Sequence, residues 1–355
     1  MVVSGLLIKL PYWIAYQLRR LTGKLDGAVF YVHYEQDFFV MENILPYIEF
    51  PYTIAASSRK VAGELRKNGL QVKTWPVFPE VLIMARHTFH RFPVRAIKKI
   101  GLKHGTYHFK KMISAKKYNA FDLYFFATDE EVEMAAMKGI NCGVAGGTPV
   151  IDKLFDPKTL AKSLEIKKKP GFDKTKPTIL FTTTWDKSGL SAIDKWIDSL
   201  AGLKSKYNIL VSLHPMMSQH YLNRVKNIPG IYISDPHTLP AFMLAADFLI
   251  SDTSSIMGEF CALDKPIITF AVEQKGRLTG EIQQLIGEIS LQISDINQLD
   301  DAINKYMNDK NFRRKERCHW REIFYGDLGI SHGKKTALEI NAFIAKHMQK
   351  ADNQA

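Results

Sequence analysis

The chain has 355 residues, 46% of them hydrophobic, which suits a globular protein of two ordinary domains. Its 48 Lys and Arg against 36 Asp and Glu leave a net charge of +12, a surface that attracts phosphorylated substrates, anionic lipid or nucleic acid. No zinc-finger spacing, RNP-like aromatic pattern or recognition helix is present, which sets nucleic acid aside, and three widely spaced cysteines (Cys142, Cys261, Cys318) fit buried thiols in a reducing compartment rather than a disulfide framework.

Residues 2–18 are mostly apolar, with Lys9 and Pro11 inside and Arg19, Arg20 and Lys24 behind. No uninterrupted apolar run is long enough for a spanning helix. The charge lies within and after the apolar part, the reverse of a signal peptide. Two readings stand. The segment 1–24 is either a basic amphipathic stretch lying on an anionic membrane surface, with Tyr12, Trp13 and Tyr16 at headgroup level, or a helix packed on its own domain.

An alternating pattern follows. Strands are expected at 28–33, 52–56, 71–74, 80–85, 121–127 and 142–145. Helices are expected at 38–47, from Ser57 or Ser58 to Lys67 with a stop at Asn68-Gly69, and at 129–138. The span 156–177, with Lys167-Lys168-Lys169-Pro170-Gly171, has little apolar periodicity and reads as a boundary. The pattern restarts with strands at 178–183, 207–213, 231–234, 248–250 and 266–270, and helices at 191–203, 239–246, 297–307 and 336–348. Strands alternating with helices at this spacing predict α/β architecture with parallel sheets: two doubly wound, Rossmann-like halves with a cleft between them. The layout is an N-terminal segment 1–24, domains at 25–160 and 175–330, and a C-terminal helical stretch 331–355.

The stretch 246–260 organises the second half. Phe248 to Ile250 form a short apolar run, suited to a parallel strand buried on both faces. Asp252, Thr253, Ser254 and Ser255 follow, residue types favoured where helices begin, and Ile256, Glu259, Phe260 and Leu263 recur at helical spacing. A helix start at the carboxyl end of a parallel strand suits phosphate oxygens, although an ordinary N-cap has the same composition. His104, between Lys103 and Gly105, and His214, held extended by Pro215, each follow an apparent strand, where an imidazole can reach a ligand or simply be a structural histidine. Gly146-Gly147-Thr148-Pro149 brings backbone close to a ligand or to another part of the protein. There is no Asp-x-Asp, no P-loop, no Gly-x-Gly-x-x-Gly and no zinc spacing. Transfer from an activated phosphate donor without metal or other cofactor fits this set, with charge neutralised by helix ends, His, Lys and Arg.

The order Lys103-His104-Gly105-Thr106, Gly146-Gly147-Thr148-Pro149 with Asp152, Thr184-Trp185, His214-Pro215 and Ser251-Asp252-Thr253-Ser254-Ser255 resembles the CDP-glycerol glycerophosphotransferase family, over roughly residues 95–345. The resemblance implies a GT-B fold and a cytoplasmic enzyme, peripherally bound to the inner face of the cell membrane. Such an enzyme moves a polyol phosphate from a CDP-activated donor to a lipid-linked or polysaccharide acceptor in teichoic-acid or capsule synthesis. By the same resemblance His104 is the base that activates the acceptor hydroxyl and His214 touches the donor pyrophosphate. Thr253, Ser254 and Ser255 hold donor phosphates, Glu259 lies on the ribose side, and Gly146, Gly147, Thr148 and Lys334 complete the donor set. Gly333-Lys334-Lys335 resembles a late Asp-Gly-Lys element with His332 in place of Asp. Lys103 replaces a usual Trp and Thr253 a usual Tyr, which leaves open whether acceptor and polyol are those of glycerol phosphate. A GT-B glycosyltransferase or a UDP-sugar 2-epimerase-like enzyme fits the same layout, and a non-catalytic membrane-surface protein on the same fold is a third reading.

Overall fold

A computed structural model of the chain describes residues 3–103, 105, 114–273 and 280–352. Within them the chain divides into two compact units. Unit 1 takes the described residues up to 105, then 114–152 and 325–352; unit 2 takes 153–273 and 280–324. The C-terminal helix, His332–Asp352, is counted with unit 1.

Unit 1 is built on seven parallel strands: β1 (Ala28–Val32), β2 (Tyr52–Ala56), β3 (Val72–Thr74), β4 (Val81–Met84), β5 (Lys98–Gly101), β6 (Leu123–Phe126) and β7 (Gly143–Ala145). Their order is β3-β2-β1-β4-β5-β6-β7, so the winding reverses between β1 and β4, where Phe30 lies opposite Ile83. Every residue of these two strands is buried, which is why both read as continuous apolar runs. The C-terminal helix closes this core by packing Ala337, Ile340 and Ile344 in the same cluster as Phe30, Ile83 and Phe125. The helix Arg59–Lys67 starts where expected, with the Ser58 hydroxyl accepting the Val61 N–H, and stops before Gly69 at φ +78°. The helix expected at 38–47 is shorter, Phe38–Met41, followed by a 3-10 turn Leu45–Tyr47. Pro46 has no N–H to continue the ladder.

Unit 2 repeats the scheme with six strands: β8 (Thr178–Thr183), β9 (Asn208–Leu213), β10 (Tyr232–Ile233), β11 (Phe248–Ser251), β12 (Ile267–Phe270) and β13 (Leu291–Ile293). The order β10-β9-β8-β11-β12-β13 again places the reversal beside the first strand, here between β8 and β11. Two expectations are corrected. Residues 191–203 form short turns, Ile193–Lys195 and Ile197–Ser199, before a single helical stretch Leu200–Leu203, because the fully buried Trp196 takes non-helical backbone between them. The boundary span also contains a helix, Pro157–Ile166, capped by Asp156. Its buried face includes Thr159 and Ser163, so apolar periodicity does not reveal it.

The N-terminal helix α1 (Val3–Leu21) carries features of both sequence readings. Tyr12 and Tyr16 are buried, and the Tyr12 hydroxyl donates to the Val77 carbonyl at 2.7 Å, within ring contact of Phe78, Phe92 and Trp75. Neither tyrosine is therefore available to a headgroup zone. On the other side Leu10, Trp13, Ile14, Leu18 and Leu21 are exposed. No helix among the described residues is long and apolar enough to cross a membrane.

Candidate active site

The carboxyl ends of β8, β9 and β11 form one edge of unit 2, and ligands of doubly wound sheets bind at such an edge where the winding reverses. The residue that builds it is Asp252, fully buried just after β11. Its carboxylate accepts from the Thr183 hydroxyl at 2.6 Å, the Thr184 N–H at 3.0 Å, the Thr184 hydroxyl at 2.8 Å and the Ala192 N–H at 3.0 Å. It also accepts the N–H groups of Thr253 and Ser254. Asp252 thereby ties the loop after β8 to the loop after β11. Asp186 does the same one strand over, accepting the N–H and hydroxyl of Ser218 in the segment after β9. Those bonds, the Ser218 hydroxyl foremost, hold the Asp186 carboxyl below the usual range.

The hydroxyl run has a different local role from a helix cap. Ser255 precedes the helix Ile256–Ala262 with helical φ/ψ and makes no side-chain cap. Asp252 takes the first N–H groups of the loop, so the half-buried Ser254 and Ser255 hydroxyls keep no hydrogen-bond partner among the described residues. Thr253 is buried, its hydroxyl 3.2 Å from that of Thr184. One turn on, Glu259 is half-buried with no ion-pair or hydrogen-bond partner among the described residues, and desolvation pushes its carboxyl up to about 7. His214 follows β9, and its Nδ1 accepts the Met216 N–H at 3.1 Å. In the neutral imidazole that places the ring proton on Nε2. Five sequence-predicted positions, His214, Thr253, Ser254, Ser255 and Glu259, thus belong to unit 2, with Asp252 and Asp186 as the supports that sequence reading did not single out as site residues.

The other predicted positions belong to unit 1. His104 lies outside the described residues. Its neighbour Lys103 is buried, with Nζ 2.6 Å from Glu131 Oε1, while Oε2 of Glu131 accepts the Ala127 N–H. Burial pulls the Lys103 ammonium down and Glu131 opposes it. The Lys in place of Trp is therefore an internal tether after β5. The close approaches in the Gly146-Gly147-Thr148 loop are internal to unit 1. A Cβ on Gly146 would stand 2.2 Å from the Phe125 ring, and one on Gly147, at φ +88°, 2.9 Å from His332. Thr148 is 1% exposed, and its N–H donates to His332 Nδ1 at 2.9 Å. His332 Nε2 lies 3.0 Å from the Asp327 carbonyl, and Asp152 accepts the His332 and Gly333 N–H groups that open the C-terminal helix. The His in place of Asp is thus a packed, bonded residue. Lys334 is exposed on the first turn of that helix.

Two doubly wound parallel units, each with its winding reversal at a first strand, define a protein of the GT-B fold class. The solved wall teichoic acid polymerase TagF superposes with a TM-score of 0.66 over 98% of each chain at 13% identity. The UDP-GlcNAc 2-epimerase from Neisseria meningitidis bound to UDP-GlcNAc does so with a TM-score of 0.60, over 90% of this chain and 99% of its own, also at 13%. At such identities the likeness is one of fold.

Within that class the chain belongs to the CDP-glycerol:poly(glycerophosphate) glycerophosphotransferase family, whose model matches residues 87–325. The teichoic acid glycerol-phosphate primase of Bacillus subtilis (strain 168) is 25% identical over 244 residues, which cover 59% of this chain and 61% of the primase. The teichoic acid poly(glycerol phosphate) polymerase of Bacillus spizizenii (strain ATCC 23059 / NRRL B-14472 / W23) is 26% identical over 153 residues, 41% of this chain and 39% of the polymerase. Each match spans less than two thirds of the relative's own length.

Proposed function

We propose that this protein transfers a polyol phosphate from a CDP-activated donor to the end of a lipid-linked or polysaccharide acceptor. The observation that carries the reading is the Thr253-Ser254-Ser255 loop, whose backbone Asp252 holds in place at the switch point of unit 2, with the Ser254 and Ser255 hydroxyls left for a ligand, in a family of CDP-glycerol transferases. The acceptor hydroxyl attacks the polyol-bearing phosphorus, His104 takes its proton, and the P–O bond to CMP breaks, so CMP departs with the electron pair. The Ser254 and Ser255 hydroxyls and the His214 Nε2–H supply hydrogen bonds to the donor phosphates, and Glu259 accepts from the ribose hydroxyls. Gly146, Gly147, Thr148 and Lys334 belong to the wider donor set through the family resemblance alone.

Incubation with CDP-glycerol, CDP-ribitol and UDP-sugars tests the reading: CMP release from a CDP-polyol is expected, and UDP release with no CMP would point to the glycosyltransferase or epimerase alternative. Ser254→Ala and Ser255→Ala are each expected to weaken nucleotide binding by about 1–3 kcal/mol, the worth of a hydrogen bond to a charged group. Calorimetry in EDTA is expected to give the same affinity as without it, and an absolute magnesium requirement would overturn the metal-free donor site.

The membrane half of the reading rests on α1. Its exposed Leu10, Trp13, Ile14, Leu18 and Leu21, with exposed Lys9, Arg20 and Lys24 nearby, make a surface suited to the interface of an anionic inner leaflet, where lipid-linked acceptors end. Co-sedimentation with anionic vesicles, reversed by salt, is expected. Because Tyr12 and Tyr16 hold α1 on unit 1, the informative variant is Trp13→Ser with Leu18→Ser rather than a deletion; it is expected to cut vesicle binding by about tenfold or more while leaving CDP binding unchanged. Equal sedimentation with neutral and anionic vesicles would remove the electrostatic part of the argument.

A further inference from the structure

The winding reversal in unit 1, between β1 and β4, has a set of polar groups at its carboxyl edge that neither the motifs nor the family resemblance assigns. His33 follows β1, Ser57 follows β2, Trp75 follows β3, and Arg86 and Arg91 follow β4. The Asp37 carboxylate at this edge is already committed. Fully buried, it accepts the N–H groups of His33 and Tyr34 at 3.1 and 3.0 Å and the Arg86 Nε at 2.6 Å. Arg86 then lies over the Tyr34 ring, 4.9 Å from its centroid. Arg91 has no carboxylate partner among the described residues. Its Nη1 donates to the Tyr31 hydroxyl at 3.1 Å and the Ser57 carbonyl at 3.2 Å, and the guanidinium sits 5.7 Å from the Trp75 ring centroid.

Arg86 is thus held by its ion pair with Asp37, and Arg91 by neutral oxygens and ring packing. The polar rings beside them are unspent. The half-buried His33 side chain makes no hydrogen bond among the described residues, its Nδ1 enclosed and unpartnered, although its ring is held 4.5 Å from that of Tyr34. The Trp75 Nε1–H is likewise buried without an acceptor. Burial first and the Arg91 guanidinium second hold both His33 and His90 below the ordinary imidazole range, with Arg86 adding to the effect on His33 and Lys9 of α1 to that on His90. Preorganised forks of guanidinium donors, an unbonded imidazole and an excess of positive charge at a switch point are what a tetrahedral anion requires.

We propose that His33, Arg86 and Arg91 form a phosphoanion subsite in unit 1 that binds a phosphodiester of the acceptor chain. Its assignment to the acceptor rests on the transferase reading above; the anion site itself does not. Arg91 and Arg86 bind the two non-bridging oxygens, and His33 Nε2 hydrogen-bonds an ester or non-bridging oxygen. The site thereby holds the acceptor by the unit before its terminal hydroxyl, and an acceptor with no phosphodiester near its end is the poorer substrate.

The test uses the full chain with histidines labelled at Cε1, the His33 resonance being the one lost in His33→Gln. Titration with glycerophosphoglycerol, a phosphodiester probe, is expected to shift that resonance saturably, and Arg91→Gln is expected to abolish the shift. In the transfer assay Arg91→Gln and His33→Gln are expected to raise the acceptor KM by roughly tenfold or more, with the KM for CDP-glycerol within about twofold of the parent. A purely structural role for Arg91 would move the melting temperature and both KM values together, which overturns the proposal, as does an unshifted His33 resonance. A shift produced by anionic vesicles and not by the diester assigns the site to a lipid headgroup and overturns the acceptor assignment. Saturable diester binding in a protein that releases no CMP from any CDP-polyol sinks the transferase reading while leaving the anion site standing.

Discussion

Replacing His104 with Ala is expected to lower transfer from a CDP-polyol by roughly 10²–10⁴-fold while the affinity for the donor alone stays within about twofold. In the proposed transfer the acceptor is an alcohol, whose hydroxyl is a weak nucleophile until a base takes its proton as the new P–O bond forms. An imidazole titrates near neutral pH, so at physiological pH a usable fraction is in the basic form. The chain reaches His104 directly from β5 through Lys103, whose ion pair with Glu131 fixes the backbone one residue before it. CMP release under saturating donor measures the effect, and calorimetric titration with CDP-glycerol in the absence of acceptor measures the control. A variant that turns over at near-normal rate would take the proton-acceptor role away from His104; one that also loses donor affinity would make it a binding residue instead.

Most of the strands were legible because parallel strands buried on both faces leave a direct signal, short apolar runs such as Phe248 to Ile250, and the helix Arg59–Lys67 because its caps are local in sequence. The hydroxyl loop was legible for the same reason, being contiguous. What the sequence did not disclose is tertiary. Asp252 looks like one more helix-cap residue, and only the fold brings Thr183, Thr184 and Ala192 to its carboxylate. Lys103 and His332 look like functional departures from a motif, yet each is spent on an internal partner, Glu131 in one case and the Thr148 N–H in the other. His33 comes from the loop after β1, Arg86 and Arg91 from the one after β4, with no shared motif, and their common edge exists only once β1 and β4 are neighbours. The first segment carried two readings because α1 has two faces, one spent on Val77 and Phe78, the other exposed.

Asp252 is the residue whose loss is expected to cost unit 2 the most. Asp252→Ala removes the acceptor for the Thr183 and Thr184 hydroxyls and for the N–H groups of Thr184, Ala192, Thr253 and Ser254, all buried or half-buried. A buried donor left without an acceptor costs about 1–3 kcal/mol, and such losses within one network are not additive. A destabilisation of about 3–5 kcal/mol is therefore expected in chemical unfolding, enough that the alanine variant alone would not separate folding from function. Asp252→Asn separates them. The amide keeps the shape and one acceptor oxygen, but its NH₂ faces N–H and O–H donors on one side, so the β8 and β11 loops lose their common anchor without a cavity. The asparagine variant is expected to fold, to lose about 1–3 kcal/mol of stability, and to bind CDP-glycerol at least tenfold more weakly because Ser254 and Ser255 are no longer held. Ser254→Ala in the Asp252→Asn background should then cost less affinity than in the parent, since a loop that has already lost its position has less to lose. Parental affinity in Asp252→Asn would mean that the hydroxyl loop is positioned by something other than this carboxylate, and the donor site would have to be sought elsewhere in unit 2.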